Sequence, residues 1–345
     1  MKRKLLLIPI ALLLALSLIA IGCPTPEPEV FELSLSHVFP EVSPMAQLIM
    51  EWGDTIEQES GGRVKFTYYW SNTLVPYEES FQGVETGVAD VGNHGIKVDF
   101  QPLSFTAVRL PFLGTPSMSA GTDIFWEMYN NTPAIQEEWA GVKLVMARMM
   151  PPFQLNTTNK EVRIPSDLEG VKIIAAGEAG TFVNSVGGTP VDVSSPDVYV
   201  ALNSGVADGW IDAHFPALEM FGVLELLPYH TIFGDGGVSM MIDTLIMYPD
   251  TWNKLPSDIQ QIIEDASAQY VENAINSDTS NVERIANICK EMGHTFAYLT
   301  PEEIQLWQDA AAPLHEEWIA GLEAKGKPAQ AVYDEVKRLI EEYSE

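Results

Sequence analysis

The fold turns on one stretch. It begins Asp167-Leu168-Glu169-Gly170-Val171-Lys172-Ile173-Ile174 and ends Ala201-Leu202-Asn203-Ser204-Gly205-Val206-Ala207-Asp208-Gly209-Trp210-Ile211-Asp212. Ser166 or Asp167 caps a short turn. Residues 172–176, Lys172 followed by four apolar residues, read as a strand. Residues 178–186 have helical spacing, 191–193 read as a strand, 195–203 as a helix and 210–213 as a strand again. Short strands alternating with helices predict an α/β chain with parallel sheets under helical cover.

The alternation extends upstream. Met45, Leu48, Ile49, Trp52 and Ile56 recur at helical spacing until Gly61-Gly62 stops them. Residues 64–70 are β-branched and aromatic, hence a strand. A helix at 77–87, a short strand at 88–92, a helix at 119–131 and a strand at 142–149 follow. Near Pro151-Pro152 the chain crosses into a second unit, and 239–248 read as a strand returning to the first. Residues 256–292 keep helical periodicity with no internal proline or glycine, too long for one lobe. Further helices are predicted over 301–325 and 328–343.

Four more blocks accompany the first two. They are Glu59-Ser60-Gly61-Gly62-Arg63-Val64, Gln82-Gly83-Val84-Glu85-Thr86-Gly87-Val88-Ala89-Asp90, Leu110-Pro111-Phe112-Leu113 and Trp252-Asn253-Lys254-Leu255-Pro256. In this order the six blocks resemble the extracytoplasmic solute-binding proteins of TRAP transporters, the DctP type, over residues 31–325. That family's two deciding blocks read D-L-x-G-L-K-I-R and A-L-x-x-G-x-x-D-G-x-E-N. The resemblance implies a protein that captures a small solute outside the membrane and passes it to TRAP membrane subunits. It also implies an α/β, periplasmic-binding-protein-like fold of two lobes with a cleft between them. Lobe I would take 31–150 with a return segment 235–255, and lobe II 151–234. Residues 256–345 would supply a long lobe-spanning helix and C-terminal helices. Solutes bind in such crevices, and closure excludes water.

The departures concern the site. Where the family grips a carboxylate with arginine, this chain has Ile174, which cannot form a two-pronged guanidinium pair. A second arginine of sialic-acid-binding relatives corresponds to Gln154. Arg148, Lys97 and Arg109 are substitutes to consider, and an ordinary surface or strand-edge role is the expectation for each. Asp212 stands where the family often has asparagine. It could pair with a ligand ammonium, or cap the helix near Pro216. Glu178 opens a helix beside the cleft, where a negative charge is favourable in any case. Trp210, Phe153, Trp70, Tyr69 and Phe39 lie in segments that approach the cleft in the family. With one carboxylate they would cage an amine at roughly 0.5–2 kcal/mol per ring. His37 and His214 are candidates at the cleft edge. The expected solute is therefore an amine, a zwitterion or a neutral polar molecule rather than a simple carboxylate.

Lys2, Arg3 and Lys4, the apolar run Leu5 to Ile21 and Ala20-Ile21-Gly22-Cys23 read as a lipoprotein signal over 1–22 with lipidation at Cys23. The alternative is an uncleaved anchor. Either way the rest faces outward, and residues 23–30, rich in proline, form an extended tether. Removing 1–22 takes away three cations and no acid, so the mature chain is more acidic than the −29 of the whole. That surface repels phosphates and excludes nucleic acid as a partner. Cys289 is then left without a disulfide partner and reads as a small buried hydrophobe. No H-E-x-x-H, G-x-S-x-G, Walker or G-x-G-x-x-G pattern appears, so the expectation is no enzyme. The six histidines lack metal-ligand spacing, so no metal or cofactor is assigned. An extracellular lipoprotein sensor or enzyme on the same fold is the competing reading.

Overall fold

The computed structural model describes residues 29–95, 100–194 and 197–344, apart from the side chains of Thr106 and Ala107. The lipoprotein signal, Cys23, most of the tether and Lys97 fall outside the described residues. Eleven strands are described: β1 (Phe31–Ser36), β2 (Val64–Tyr69), β3 (Val91–Gly95), β4 (Lys143–Met149), β5 (Gln154–Thr157), β6 (Lys172–Ile174), β7 (Thr189–Val191), β8 (Gly209–Ala213), β9 (Tyr229–Ile232), β10 (Ile242–Met247) and β11 (Thr295–Tyr298). They form two sheets, ordered β2-β1-β3-β10-β4 and β11-β9-β5-β8-β6-β7.

The sheets are mixed, which corrects the expectation of parallel ones. In the first, β1 runs parallel to β2 and β3, while β10 opposes β3 and β4. In the second, β6 runs parallel to β7 and β8, β9 parallel to β11, and β5 opposes β8 and β9. The reversed strands are those the chain enters just after crossing between lobes. Strands joined by local helical crossovers stay parallel; a strand arriving from the other lobe need not. Lobe II also recruits β11, so the segment after residue 256 is not all helix. The third strand begins at Val91 rather than 88, because Asp90 turns inward and accepts hydrogen bonds from the N–H and hydroxyl of Ser34 at 2.9 and 2.7 Å.

The helix Ser257–Glu291 has 35 residues and, at about 1.5 Å per residue, reaches across both lobes. Its Ile263 and Tyr270 pack with Leu33 and Leu245 beneath the first sheet. Its Ile285 and Cys289 pack with Ile174 and Leu218 on the second. A second brace was not anticipated: in the helix Pro301–Glu323, Trp307 joins Phe182 and Ile173, while Leu322 joins Leu103 and Phe125. Among the described residues no helix is long and apolar enough to cross a membrane.

The two deciding blocks are mostly framework. The Asp167 carboxylate accepts the N–H groups of Arg163 and Ile164 at 2.9 and 3.0 Å. The Asp208 carboxylate accepts the Lys172 N–H at 3.1 Å, fixing β6 against β8. Gly205 holds a φ of 73°. At Gly209 a Cβ would stand 2.6 Å from the Asn156 carbonyl oxygen, closer than real Cβ contacts come, so β5 and β8 meet only through glycine.

Candidate functional site

A cavity of about 410 Å³ opens between the lobes, a size suited to a small organic molecule. Lobe I lines it with Tyr77, Phe105 and Arg109, and lobe II with Glu178 and Asp212; Met241 comes from the segment crossing back. Tyr77 hydrogen-bonds the Gly95 backbone, and burial raises its phenol well above the usual range. A side chain at Gly95 would collide with that hydroxyl.

Arg109 ends the helix Pro102–Arg109, where a cation is favoured by the helix dipole. Its guanidinium carbon lies 4.9 Å from the Phe105 ring centre and 5.6 Å from that of Phe153. Its Nε is buried with no hydrogen-bond partner among the described residues. Phe105 and Arg109 are four residues apart on one helix, so they share a face by construction.

Asp212 is the next-to-last residue of β8, half-buried, and accepts the Ala176 N–H. Burial raises its carboxyl to about 6; Arg109 pulls it down, Glu178 pushes it up, and the Ala176 N–H pulls it down. Glu178 sits in the first turn of the helix Gly177–Ser185. Asp212 ionises reluctantly in the folded chain, so below pH 6 the folded state holds a proton the unfolded state lacks until about pH 4. Its charge therefore weakens the fold above pH 6 and has no effect below about 4. Asp212→Asn keeps the acceptor for Ala176, and its expected gain is about 1–2 kcal/mol at pH 8, after allowing for solvent screening, and nothing at pH 4. Denaturant titrations at both pH values check this; equal shifts at both would contradict it.

The other expected site residues are placed elsewhere. Ile174 is in the lobe II core, paired across the sheet with Trp210, and neither lines the cavity. Trp210 makes an edge contact with Phe221 at 5.4 Å. Gln154 spends its amide on backbone: Oε1 accepts the Phe233 N–H at 3.0 Å and Nε2 donates to the Gly234 carbonyl at 3.3 Å. Phe153 stands behind Arg109 and stacks on His214 at 6.0 Å. His214 caps the helix Phe215–Met220 by accepting the Ala217 N–H at 3.0 Å. His37, Phe39 and Trp70 form their own group past the ends of β1 and β2, with ring centres 5.1 and 5.8 Å from His37. They do not line the cavity.

The rings around the charge are thus Phe105, Phe153 and Tyr77, not the cage read from Trp210, Trp70 and Phe39. Arg109, expected to be ordinary, is the cation that lines the cleft among the described residues. Arg148 is not available: fully buried, it donates from Nη1 to Asp278 at 2.6 Å and lies 3.7 Å from Asp243. Their own burial, aided by the charge of Arg148, holds His37 near 3 and His214 near 4, both neutral in use.

The family model described as bacterial extracellular solute-binding protein, family 7, matches residues 35–321. The C4-dicarboxylate-binding periplasmic protein DctP of Rhodobacter capsulatus is 24% identical over 308 residues, spanning 84% of this chain and 86% of that one. A TRAP periplasmic solute binding protein from Desulfovibrio salexigens superposes at a TM-score of 0.80 with 25% identity, covering 91% of this chain and 96% of the other. A TRAP solute binding protein from Rhodoferax ferrireducens, in complex with copurified benzoate, superposes at 0.80 with 21% identity, covering 91% and 99%.

Proposed function

The chain belongs to family 7 of the bacterial extracellular solute-binding proteins, the DctP type of TRAP transport systems, and we propose that its solute is a zwitterion of amino-acid type. Proteins of this family bind a small solute outside the cytoplasm and work with membrane subunits. In the proposed complex the solute carboxylate rests on Arg109 and its ammonium between Asp212 and Glu178, with Phe105 and Tyr77 against its carbon skeleton.

The observation that carries this reading is the charge layout. One guanidinium shares the cavity with two carboxylates, and no salt bridge among the described residues joins them. A dicarboxylate would meet Arg109 with one end and two like charges with the other. A plain amine would leave a partly buried guanidinium unmatched. A zwitterion answers both. The relatives described with benzoate and C4-dicarboxylates take acids, so a cation in the cleft agrees with them; here Arg109 takes over from the arginine replaced by Ile174.

We further propose that the mature chain is tethered through a lipid on Cys23. Cys23→Ser should leave it unprocessed or release it from membranes, and normal processing with unchanged retention would exclude the lipid.

A melting screen of the mature protein against amino acids, betaines, amines, benzoate and dicarboxylates tests the solute class. A zwitterion at ~100-fold over its dissociation constant adds about 2.7 kcal/mol of stability. Benzoate or a dicarboxylate as the tightest solute would overturn the zwitterion and leave the transport family intact.

A further inference from the structure

Cys289 is a free thiol buried in the lobe II core, as expected. It lies in the last turn of the long helix, and β9 and the turn before β11 bring two imidazoles to it. The ligand atoms of His230, Cys289 and His294 lie within 4.8 Å of one another. None of the three lines the solute cavity.

We propose that His230, Cys289 and His294 form a binding site for a thiophilic d¹⁰ cation, Zn²⁺ or Cu⁺. One thiolate and two imidazoles are a donor set both ions favour over the oxygen ligands of Mg²⁺ or Ca²⁺.

The orientation of the first imidazole is fixed from outside. The Asn156 Nδ2 donates to the carbonyls of Gln154 and Ala213 at 3.0 and 3.3 Å. That leaves its Oδ1 facing His230 Nδ1 at 2.7 Å. An amide oxygen only accepts, so His230 carries its proton on Nδ1 and presents a lone pair at Nε2. An outward N–H held by a fixed acceptor is how metal-ligating histidines are oriented. The lone pair faces His294 Nδ1 at 3.0 Å.

The surroundings suit an ion held away from water. Phe215 and Phe296 wall the His230 ring at 5.1 and 4.8 Å. His294 is half-exposed and follows Gly293, whose φ is 83°, so the third donor sits on an adjustable turn that opens to solvent. Bond lengths near 2.0–2.3 Å place donors roughly 3.3–3.8 Å apart around a tetrahedral ion. The three donor atoms, all within 4.8 Å of one another, are close to that spacing. On binding, the Cys289 thiol gives its proton to solvent, and His294 moves its proton from Nδ1 to Nε2. The ion would clamp the end of the long helix to the edge of the lobe II sheet.

The test uses the mature protein, dialysed against Zn²⁺ alone and, under reductant, Cu⁺ alone, with Co²⁺ as the optical probe. The expected result is one tightly held ion per chain, a higher melting temperature, and a thiolate-to-Co²⁺ charge-transfer band. His294→Ala, at a half-exposed turn, should weaken retention by about 100-fold or more while the metal-free melting temperature stays put. Cys289→Ser should abolish the band. Because the surface is strongly acidic, weak uptake without the band, or uptake unchanged in both variants, counts as carboxylate binding and overturns the site. No uptake of either ion overturns it as well.

Discussion

Arg109→Gln is expected to weaken binding of the tightest zwitterionic solute by about 100-fold, with little change in the melting temperature of the solute-free protein. The size follows from two charge-assisted hydrogen bonds to a carboxylate, each worth about 1.5–3 kcal/mol, partly replaced by neutral ones from glutamine. The unliganded fold depends little on the guanidinium, because it makes no salt bridge and its Nε has no partner among the described residues. Its contacts are with the Phe105 and Phe153 rings, where a glutamine stem still packs. Calorimetric titration reads the affinity, and a melting curve without solute reads the fold. Affinity within about 3-fold of the parent would mean that the anion contact lies elsewhere in the cleft.

Arg148→Met is expected to destabilise the protein by about 3–5 kcal/mol at pH 7. Arg148 is 0% exposed and stands between Asp278 on the long helix and Asp243 on β10. Losing it strands two carboxylates in a site of low dielectric. Burial already raises Asp243, with Arg148 the main opposing influence. Removing Arg148 pushes that carboxyl up further, so lowering the pH lets it take a proton and the penalty shrinks toward pH 5. A second control separates charge from packing. Adding Asp243→Asn and Asp278→Asn to Arg148→Met should recover most of the loss, because a network removed whole leaves no bare charge. Denaturant unfolding at pH 7 and 5 checks both expectations. A loss under about 1 kcal/mol at pH 7 would show that the triad is not what joins lobe I to the long helix.

Much of the architecture was legible because it rests on local patterns. Residues 257–291 could only be one long helix, with no proline or glycine to stop it, and a helix that long needs two lobes to cover it. The glycines and aspartates of the deciding blocks have backbone duties that any lobe of this type must meet. Strand β1 was missing from the expected set although Phe31–Ser36 alternates apolar and polar residues, and the strands β5, β9 and β11 were not legible. Gln154–Thr157 is buried yet three of its four residues are polar, and its polar groups are satisfied by partners far along the chain, such as Phe233, Gly234 and His230. Period-two alternation marks only strands with one wet face.

The site was legible in part. Asp212 and Glu178 reach the cavity because each lies near the end or the start of an element at the cleft edge. Trp210 and Ile174 share those segments but lie in the lobe II core: Trp210 is on the same face of β8 as Asp212 but two residues further from the strand end that meets the cleft. Arg109 carried a readable signal: an aromatic four residues before it on one helix, just ahead of Leu110-Pro111-Phe112-Leu113. The convergence of His230, Cys289 and His294 had no such signal, because β9 and the helix end are far apart in sequence.

The central claim is that this cleft holds a solute by both of its charges. The most direct measurement is calorimetric titration with matched sets: an amino acid found by the melting screen, the amine lacking its carboxylate, and the acid lacking its ammonium. The zwitterion should bind at least about 30-fold tighter than either partner, since each loses one charge-assisted contact and leaves a protein charge unmatched. An acid that binds as tightly as its zwitterion would contradict the account, placing Asp212 and Glu178 outside recognition.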